Sequence, residues 1–368
     1  MTKLLLLIPT LDRSGAEKQF SLLATRLPRD EFDVQVVALT RGGPYEEPIR
    51  AAGIPCTIIG KRWKFDPAAL LRLKRVLKES SPDILHSWLF AANATARMIA
   101  GKKPRPRVVI SERCVDSWKS GWQLSLDRRQ IPRTTRLIGN SQAVADFYRN
   151  LGMPDEKLAV IPNGVEIPDL SNSNRDQRLQ EFDIPPGSHV IGYVGRLARQ
   201  KRVQDVVWAM QLLRQCRDRV YLMIVGDGPE KSDLIHLAQH YGCDHLVRFA
   251  GHRDDASSLF SLFTVFWLAS DFEGMSNSIM EAMAAGVPVV ATDIAANREL
   301  VVDGETGYLV KVGDCVGISQ FTDRLLADPA KLRQMGDAGR ERMRSNFSID
   351  KMVAAHVALY RDIMNKDA

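Results

Sequence analysis

Short apolar runs alternate along the first half of the chain with segments whose apolar residues recur at helical spacing. Residues 3–9 contain the apolar run from Leu4 to Ile8, which predicts a buried strand. Five residues are too few for a signal-peptide core or a membrane span. Residues 16–27 predict a helix, 34–39 a strand and 41–44 a turn. Strands are expected again at 55–59 and 84–87, with a helix over 67–78 between them. Asp66 stands at its N-cap and Pro67 at its first position. Residues 108–111 and 136–140 extend the series. Strands alternating with helices predict a parallel sheet covered on both faces.

The series pauses over 166–189, which holds Pro168, an Asn/Ser-rich run at 171–174 and Pro185-Pro186-Gly187. This stretch reads as a linker with one short helix. A second series follows, with strands expected at 190–194, 221–225, 247–249, 264–268, 288–292 and 307–310. Residues 349–364 keep helical periodicity with no strand after them. The pattern therefore predicts an α/β protein of two tandem Rossmann-like, doubly wound domains. The expected boundaries are 1–168, with about 350–368 added, and 169–349. In such open sheets ligands bind beyond the carboxyl ends of the strands, so the residues there carry the functional reading.

Composition changes this picture little. The chain is 45% hydrophobic and 26% charged, as globular proteins are, and no stretch of about 20 apolar residues spans a bilayer. Cys56, Cys114, Cys216, Cys243 and Cys315 are odd in number and irregularly spaced, which predicts reduced thiols filling the core of a cytoplasmic protein. Charge changes more. Residues 1–168 hold 27 Lys and Arg against 17 Asp and Glu, whereas residues 169–368 hold 23 against 27. A basic first half suits an anionic partner: a membrane surface, a lipid phosphate or a nucleic acid. The last is disfavoured, because no nucleic-acid-binding motif is present.

The strongest chemical signal follows the strand 264–268. Glu273 and Glu281 stand eight residues apart, with Gly274, Met275, Ser276 and Asn277 forming a small polar turn at a helix start. A helix N-terminus suits phosphate, and a carboxylate two turns on can accept hydrogen bonds from a vicinal diol such as ribose. A second signal follows the strand 190–194. There Gly195, Arg196, Lys201 and Arg202 set cations where a diphosphate would bind. Gly226-Asp227-Gly228 is a further strand-end turn, weak evidence by itself.

These motifs resemble those of the retaining GT-B glycosyltransferases of family 4. The likeness extends through Asn297-Arg298-Glu299 and Asp303 to Gly307 and covers essentially the whole chain. It implies two domains facing a cleft, with the C-terminal helix returning to the first. It implies that Glu273 contacts the donor sugar, that Glu281 holds the ribose, and that backbone N–H groups of residues 274–277 meet sugar and diphosphate. Arg196 and Lys201 would clamp the pyrophosphate and stabilise the leaving group. Gly226, Gly228 and the backbone at His252 and Arg253 would lie near the nucleotide. Gly15 belongs to the family's glycine-rich loop, although Ser14 stands where a second Gly is usual. Asn163-Gly164 is either a hinge turn or a ligand contact.

One departure concerns the first domain. Many family members carry a His after the strand matching 108–110, where this chain has Ser111-Glu112-Arg113. Glu112 or Arg113 takes that place, or the role falls elsewhere. His86 is either structural or catalytic. Lys61, Arg62, Trp63, Lys64 and Phe65, and the stretch holding Arg113, Trp118 and Trp122, interleave cations with aromatics, which suits an anionic membrane or an acceptor. The expected enzyme is a metal-independent hexosyltransferase without a cofactor. It would use a UDP-sugar and act on a glycan, lipid-linked or lipopolysaccharide-type acceptor at the inner face of the membrane. A GT-B synthase with a small soluble acceptor is the alternative.

Overall fold

A computed structural model describes residues 1–63, 66–101, 105–116, 118–169 and 174–365. Lys64 and Phe65 of the basic aromatic segment, 170–173 of the expected linker and 366–368 lie outside the described residues. The chain divides into two compact units. Unit 1 is Met1–Gly164 with Ile349–Ala368, and unit 2 is Val165–Ser348.

Unit 1 runs β1 (Thr2–Thr10), α1 (Gly15–Arg26), β2 (Phe32–Arg41), α2 (Glu46–Ala51), β3 (Cys56–Ile58), α3 (Pro67–Ser80), β4 (Ile84–Trp88), α4 (Leu89–Ala100), β5 (Arg107–Glu112), α5 (Gly121–Gln130), β6 (Arg136–Gly139), α6 (Gln142–Asn150) and β7 (Leu158–Val160). The sheet is parallel, in the order β3-β2-β1-β4-β5-β6-β7. Strand residues alternate between faces, so β1 feeds two cores: Leu4, Leu6 and Ile8 join one, Leu5 and Leu7 the other. A run buried on both faces is what a central parallel strand requires. As the sequence predicts, the Asp66 side chain caps α3 by accepting from the Ala69 N–H at 2.9 Å.

Unit 2 runs α7 (Arg175–Gln180), β8 (His189–Val194), α8 (Val203–Leu213), β9 (Val220–Val225), α9 (Lys231–His240), β10 (Val247–Gly251), α10 (Ala256–Leu259), β11 (Val265–Leu268), α11 (Asn277–Ala284), β12 (Val289–Thr292), α12 (Ala295–Leu300), β13 (Gly307–Val310), α13 (Cys315–Ala327) and α14 (Pro329–Asn346). Its parallel sheet has the order β10-β9-β8-β11-β12-β13. The final helix, α15 (Ile349–Asn365), belongs to unit 1. Its Met352, Val353, Val357, Tyr360 and Ile363 share a core with Leu4 and Leu6 of β1.

Three details differ from the sequence reading. The stretch read as a linker is packed onto unit 2 from Arg175 onward: Leu179 is fully buried, and the Arg175 guanidinium donates to Leu262 O at 2.9 Å and Ser188 O at 3.1 Å. A short edge strand, β7, follows β6 where no strand was expected. Cys216 is exposed and fills no core, whereas Cys56, Cys243 and Cys315 are buried and Cys114 is half-buried.

Gly164, the last residue of unit 1 before the crossing, has a definite steric reason. The Gln19 side chain brackets it, donating to its carbonyl at 2.8 Å and accepting from its N–H at 2.9 Å. A Cβ there would lie 2.8 Å from Ile349 Cα. This close approach, rather than a positive φ, selects glycine.

Candidate active site

Both sheets reverse strand order once, between β1 and β4 and between β8 and β11. Ligands of doubly wound sheets bind outside the carboxyl ends at such a switch point. In unit 2, the loops that leave β8 and β11 meet there. Lys201, from the loop after β8, forms an ion pair with Glu273, from the loop after β11. The Gln200 side chain donates to Phe272 O at 2.6 Å, and the Asp271 N–H donates to Gln200 O at 2.9 Å. Arg202 reaches Asp205 at 2.6 Å and Asp271 at 3.4 Å. Two loops 72 residues apart in sequence are thus held as one surface.

The loop after β9 completes it. The N–H of Gly195 donates to Val225 O at 3.0 Å, and that of Leu197 to Asp227 O at 2.9 Å. A Cβ on Gly226, whose φ is +139°, would stand 2.0 Å from Gly195 O. Only glycine permits this backbone-on-backbone packing. Arg196 is exposed, and its carbonyl accepts from the Tyr193 hydroxyl at 3.1 Å. At the start of α11, Ser276 Oγ accepts from the Ile279 N–H at 3.3 Å. Gly274, Met275 and Ser276 are buried, while Asn277 and Glu281 are half-buried.

The strand ends of unit 1 differ in character. His86, on β4, is fully buried, with Nδ1 2.6 Å from Tyr360 Oη and Nε2 2.8 Å from Ser111 Oγ. Burial, then the neighbouring His356 and Arg113, hold it well below the ordinary histidine range. Glu112, at the end of β5, accepts from Asn93 Nδ2 at 2.9 Å and lies 3.5 Å from Lys119 Nζ. Burial raises its carboxyl to about 7, against the lowering effect of Lys119. Lys119 also meets Asp116 at 2.8 Å, Asp127 at 3.0 Å and the Tyr148 hydroxyl at 2.7 Å. Arg97 joins the network through Asp127 at 2.5 Å.

Comparison with known proteins agrees with this architecture. Residues 174–342 match the family model for glycosyl transferases group 1, and residues 13–167 match that for Glycosyltransferase Family 4. A phosphatidyl-myo-inositol mannosyltransferase of Mycobacterium leprae is 30% identical over 305 residues, covering 80% of this chain and 78% of that protein. The chain belongs to glycosyltransferase family 4. Two further relatives are 26% identical. The N-acetyl-alpha-D-glucosaminyl L-malate synthase of Bacillus anthracis aligns over 82% of this chain and 81% of its own length. The UDP-Gal:alpha-D-GlcNAc-diphosphoundecaprenol alpha-1,3-galactosyltransferase of Escherichia coli aligns over 92% of both. The crystal structure of Anabaena HepE in complex with UDP-glucose superposes with a TM-score of 0.86 at 20% identity, covering 98% of this chain and 100% of that one. The fold is therefore GT-B.

Within this glycosyltransferase, unit 2 brings together the residues the sequence singles out at the ends of β8, β9 and β11. His252 is exposed, and the Arg253 guanidinium donates to the Asp255 carboxylate at 2.7 and 2.9 Å. Gly15 opens α1, and Ser14 before it is extended at φ −140°, so the missing second glycine costs no strain.

Two candidate residues of unit 1 lie inside its core. His86 is enclosed by Tyr360, Ser111 and Trp88, and both of its ring nitrogens are engaged within the core beneath the strand ends. Glu112 is likewise enclosed, held by Asn93 and facing Lys119. Trp63, Trp118 and Trp122 are exposed, as a contact surface needs, with Trp122 edge-on to Phe90 at 6.2 Å; Arg62 is exposed and Lys61 half-buried. Sequence reasoning missed Gln200 and Phe272, which carry no motif chemistry but join the two loops. No group of His, Cys, Asp or Glu suited to a metal occurs among the described residues. No described helix is long and apolar enough to cross a membrane.

Proposed function

We propose that this glycosyltransferase moves a sugar from a UDP-sugar to a glycan or lipid-linked acceptor, with retention of anomeric configuration and without a metal. The observation that supports it is the joined surface of unit 2, where Lys201, Glu273, Arg196 and the start of α11 share one switch point.

Arg196 and Lys201 stabilise the diphosphate as negative charge builds on it, and the backbone N–H groups at the start of α11 add to this. When the diphosphate arrives, Lys201 turns from Glu273 to the phosphate, and Glu273 is released to accept from sugar hydroxyls. Glu281 accepts from the ribose diol. Transfer breaks the bond between the anomeric carbon and the phosphate oxygen and forms one to the acceptor oxygen on the same face. The departing phosphate takes the acceptor's proton.

UDP is favoured by two likenesses: HepE is seen with UDP-glucose, and the Escherichia coli relative is named for UDP-Gal. Acceptors that carry lipid or acid are favoured by the names of the relatives, which include a phosphatidyl-myo-inositol mannosyltransferase and an N-acetyl-alpha-D-glucosaminyl L-malate synthase. Exposed Trp118 and Trp122 near Arg128 and Arg129 suit peripheral contact with an anionic membrane. The test is a panel of UDP-sugars in EDTA with lipid-linked and soluble acceptors, reading the anomeric coupling of the product by NMR. An α-linked product from an α-linked donor is expected. A β-linked product, or transfer only after a divalent metal is added, would overturn the reading.

A further inference from the structure

Arg113, immediately after β5, is 9% exposed, and its Nε, Nη1 and Nη2 are all buried without a hydrogen-bond partner among the described residues. Two other buried cations of unit 1 are matched: Arg97 meets Asp127, and Lys119 meets three carboxylates. The Arg113 guanidinium carbon lies 3.7 Å from the centre of the Trp88 ring. Contact with that ring covers a face of the guanidinium and leaves the in-plane N–H fork unused. The backbone is fixed: Asn140, after β6, donates from Nδ2 to Arg113 O at 3.3 Å.

The titratable groups that act on Arg113 supply no negative charge. Burial keeps His86 and His356 well below the ordinary histidine range, so both are neutral, and burial raises the Tyr360 phenol. Burial also lowers the guanidinium to about 9, which leaves it protonated at neutral pH. Trp88 Nε1 is a second buried donor without a partner among the described residues. A buried charge is costly unless it is paired, and a guanidinium fork matches the oxygens of phosphate or carboxylate. The place is the carboxyl end of β5, one strand from the reversal between β1 and β4.

We propose that Arg113 binds an oxyanion, a phosphate or a carboxylate, carried by the acceptor. This deepens the proposed function and rests on it. It makes an acceptor with an acidic group adjoining its reactive hydroxyl the preferred substrate class.

The experiment uses the full chain saturated with UDP, so that the diphosphate subsite is filled. Inorganic phosphate and, separately, malonate are titrated in. Binding is followed by the guanidinium Nε–H resonance that disappears in Arg113→Lys, and by thermal stability of wild type and Arg113→Gln. The expected result is a shift of that resonance and a rise in Tm in wild type, with affinity about 10- to 100-fold weaker in Arg113→Gln. An unmoved resonance, or equal stabilisation of wild type and Arg113→Gln, would overturn the proposal. A response to phosphate that UDP abolishes would give the anion to the donor and overturn the acceptor assignment. If UDP does not bind at all, the proposed function fails, while the phosphate titration still decides Arg113.

Discussion

Lys119 in unit 1 and Lys201 in unit 2 both lie beyond strand ends and both meet carboxylates, yet their surroundings differ. The Lys119 side chain is 0% exposed and touches three carboxylates, all of them buried. The Lys201 side chain is 18% exposed and pairs with one, Glu273. Lys119 locks the segment after β5 onto α4, α5 and α6 through Glu112, Asn93, Asp127, Arg97 and Tyr148. Lys201 sits on a loop whose shape is already fixed by backbone bonds and by Gln200, so its charge is not what holds that loop. A charge whose removal strands other charges is architecture. A charge whose removal leaves the fold intact is available for chemistry.

Substitutions can break or sharpen this contrast. Lys119→Ala leaves three buried carboxylates and is expected to cost about 3–5 kcal/mol, read by urea unfolding. A loss below about 1 kcal/mol would remove Lys119 from the architecture. Lys201→Ala should change stability by less than about 1 kcal/mol, yet lower kcat about 100- to 1000-fold. Normal turnover would sink its role at the leaving group. Glu281→Ala should weaken UDP binding about tenfold by calorimetry, with little effect on kcat at saturation. Unchanged affinity would exclude the ribose contact.

The smallest effect expected is on pH dependence. Glu112 is raised from its ordinary value of 4.5 to about 7, so its contribution to stability is complete below 4.5 and is lost as pH rises through about 7. His86 and His356 are depressed from 6.5, so theirs is present above 6.5 and is lost as pH falls. Glu112→Gln should therefore remove the loss between about pH 5 and 7 and leave only the acid-side fall. A Tm profile parallel to that of wild type would contradict this.

Much of unit 2 is legible in the sequence because its chemistry is contiguous. Glu273 to Glu281 and Arg196 to Lys201 are single loops, and a strand ending just before each one places it at the sheet's carboxyl edge. The ion pair between them follows from the strand order. Unit 1 is less legible because its partners are distant. His86 is bound by Tyr360, 274 residues away, and only the return of α15 encloses it. Burial of Glu112 needs Asn93, 19 residues before it, and Lys119 after it. β7 is three residues at a sheet edge, too short for an apolar pattern to betray it. The helix α7 reads as linker because its docking residue, Leu179, is one apolar position among charges.

The measurement that tests the central claim most directly is calorimetric titration of UDP, GDP and ADP into wild type and Arg196→Ala in EDTA. The account predicts that UDP binds wild type without metal and that the variant binds it at least about tenfold more weakly. No binding of any nucleotide, or equal affinity in the two proteins, would contradict it.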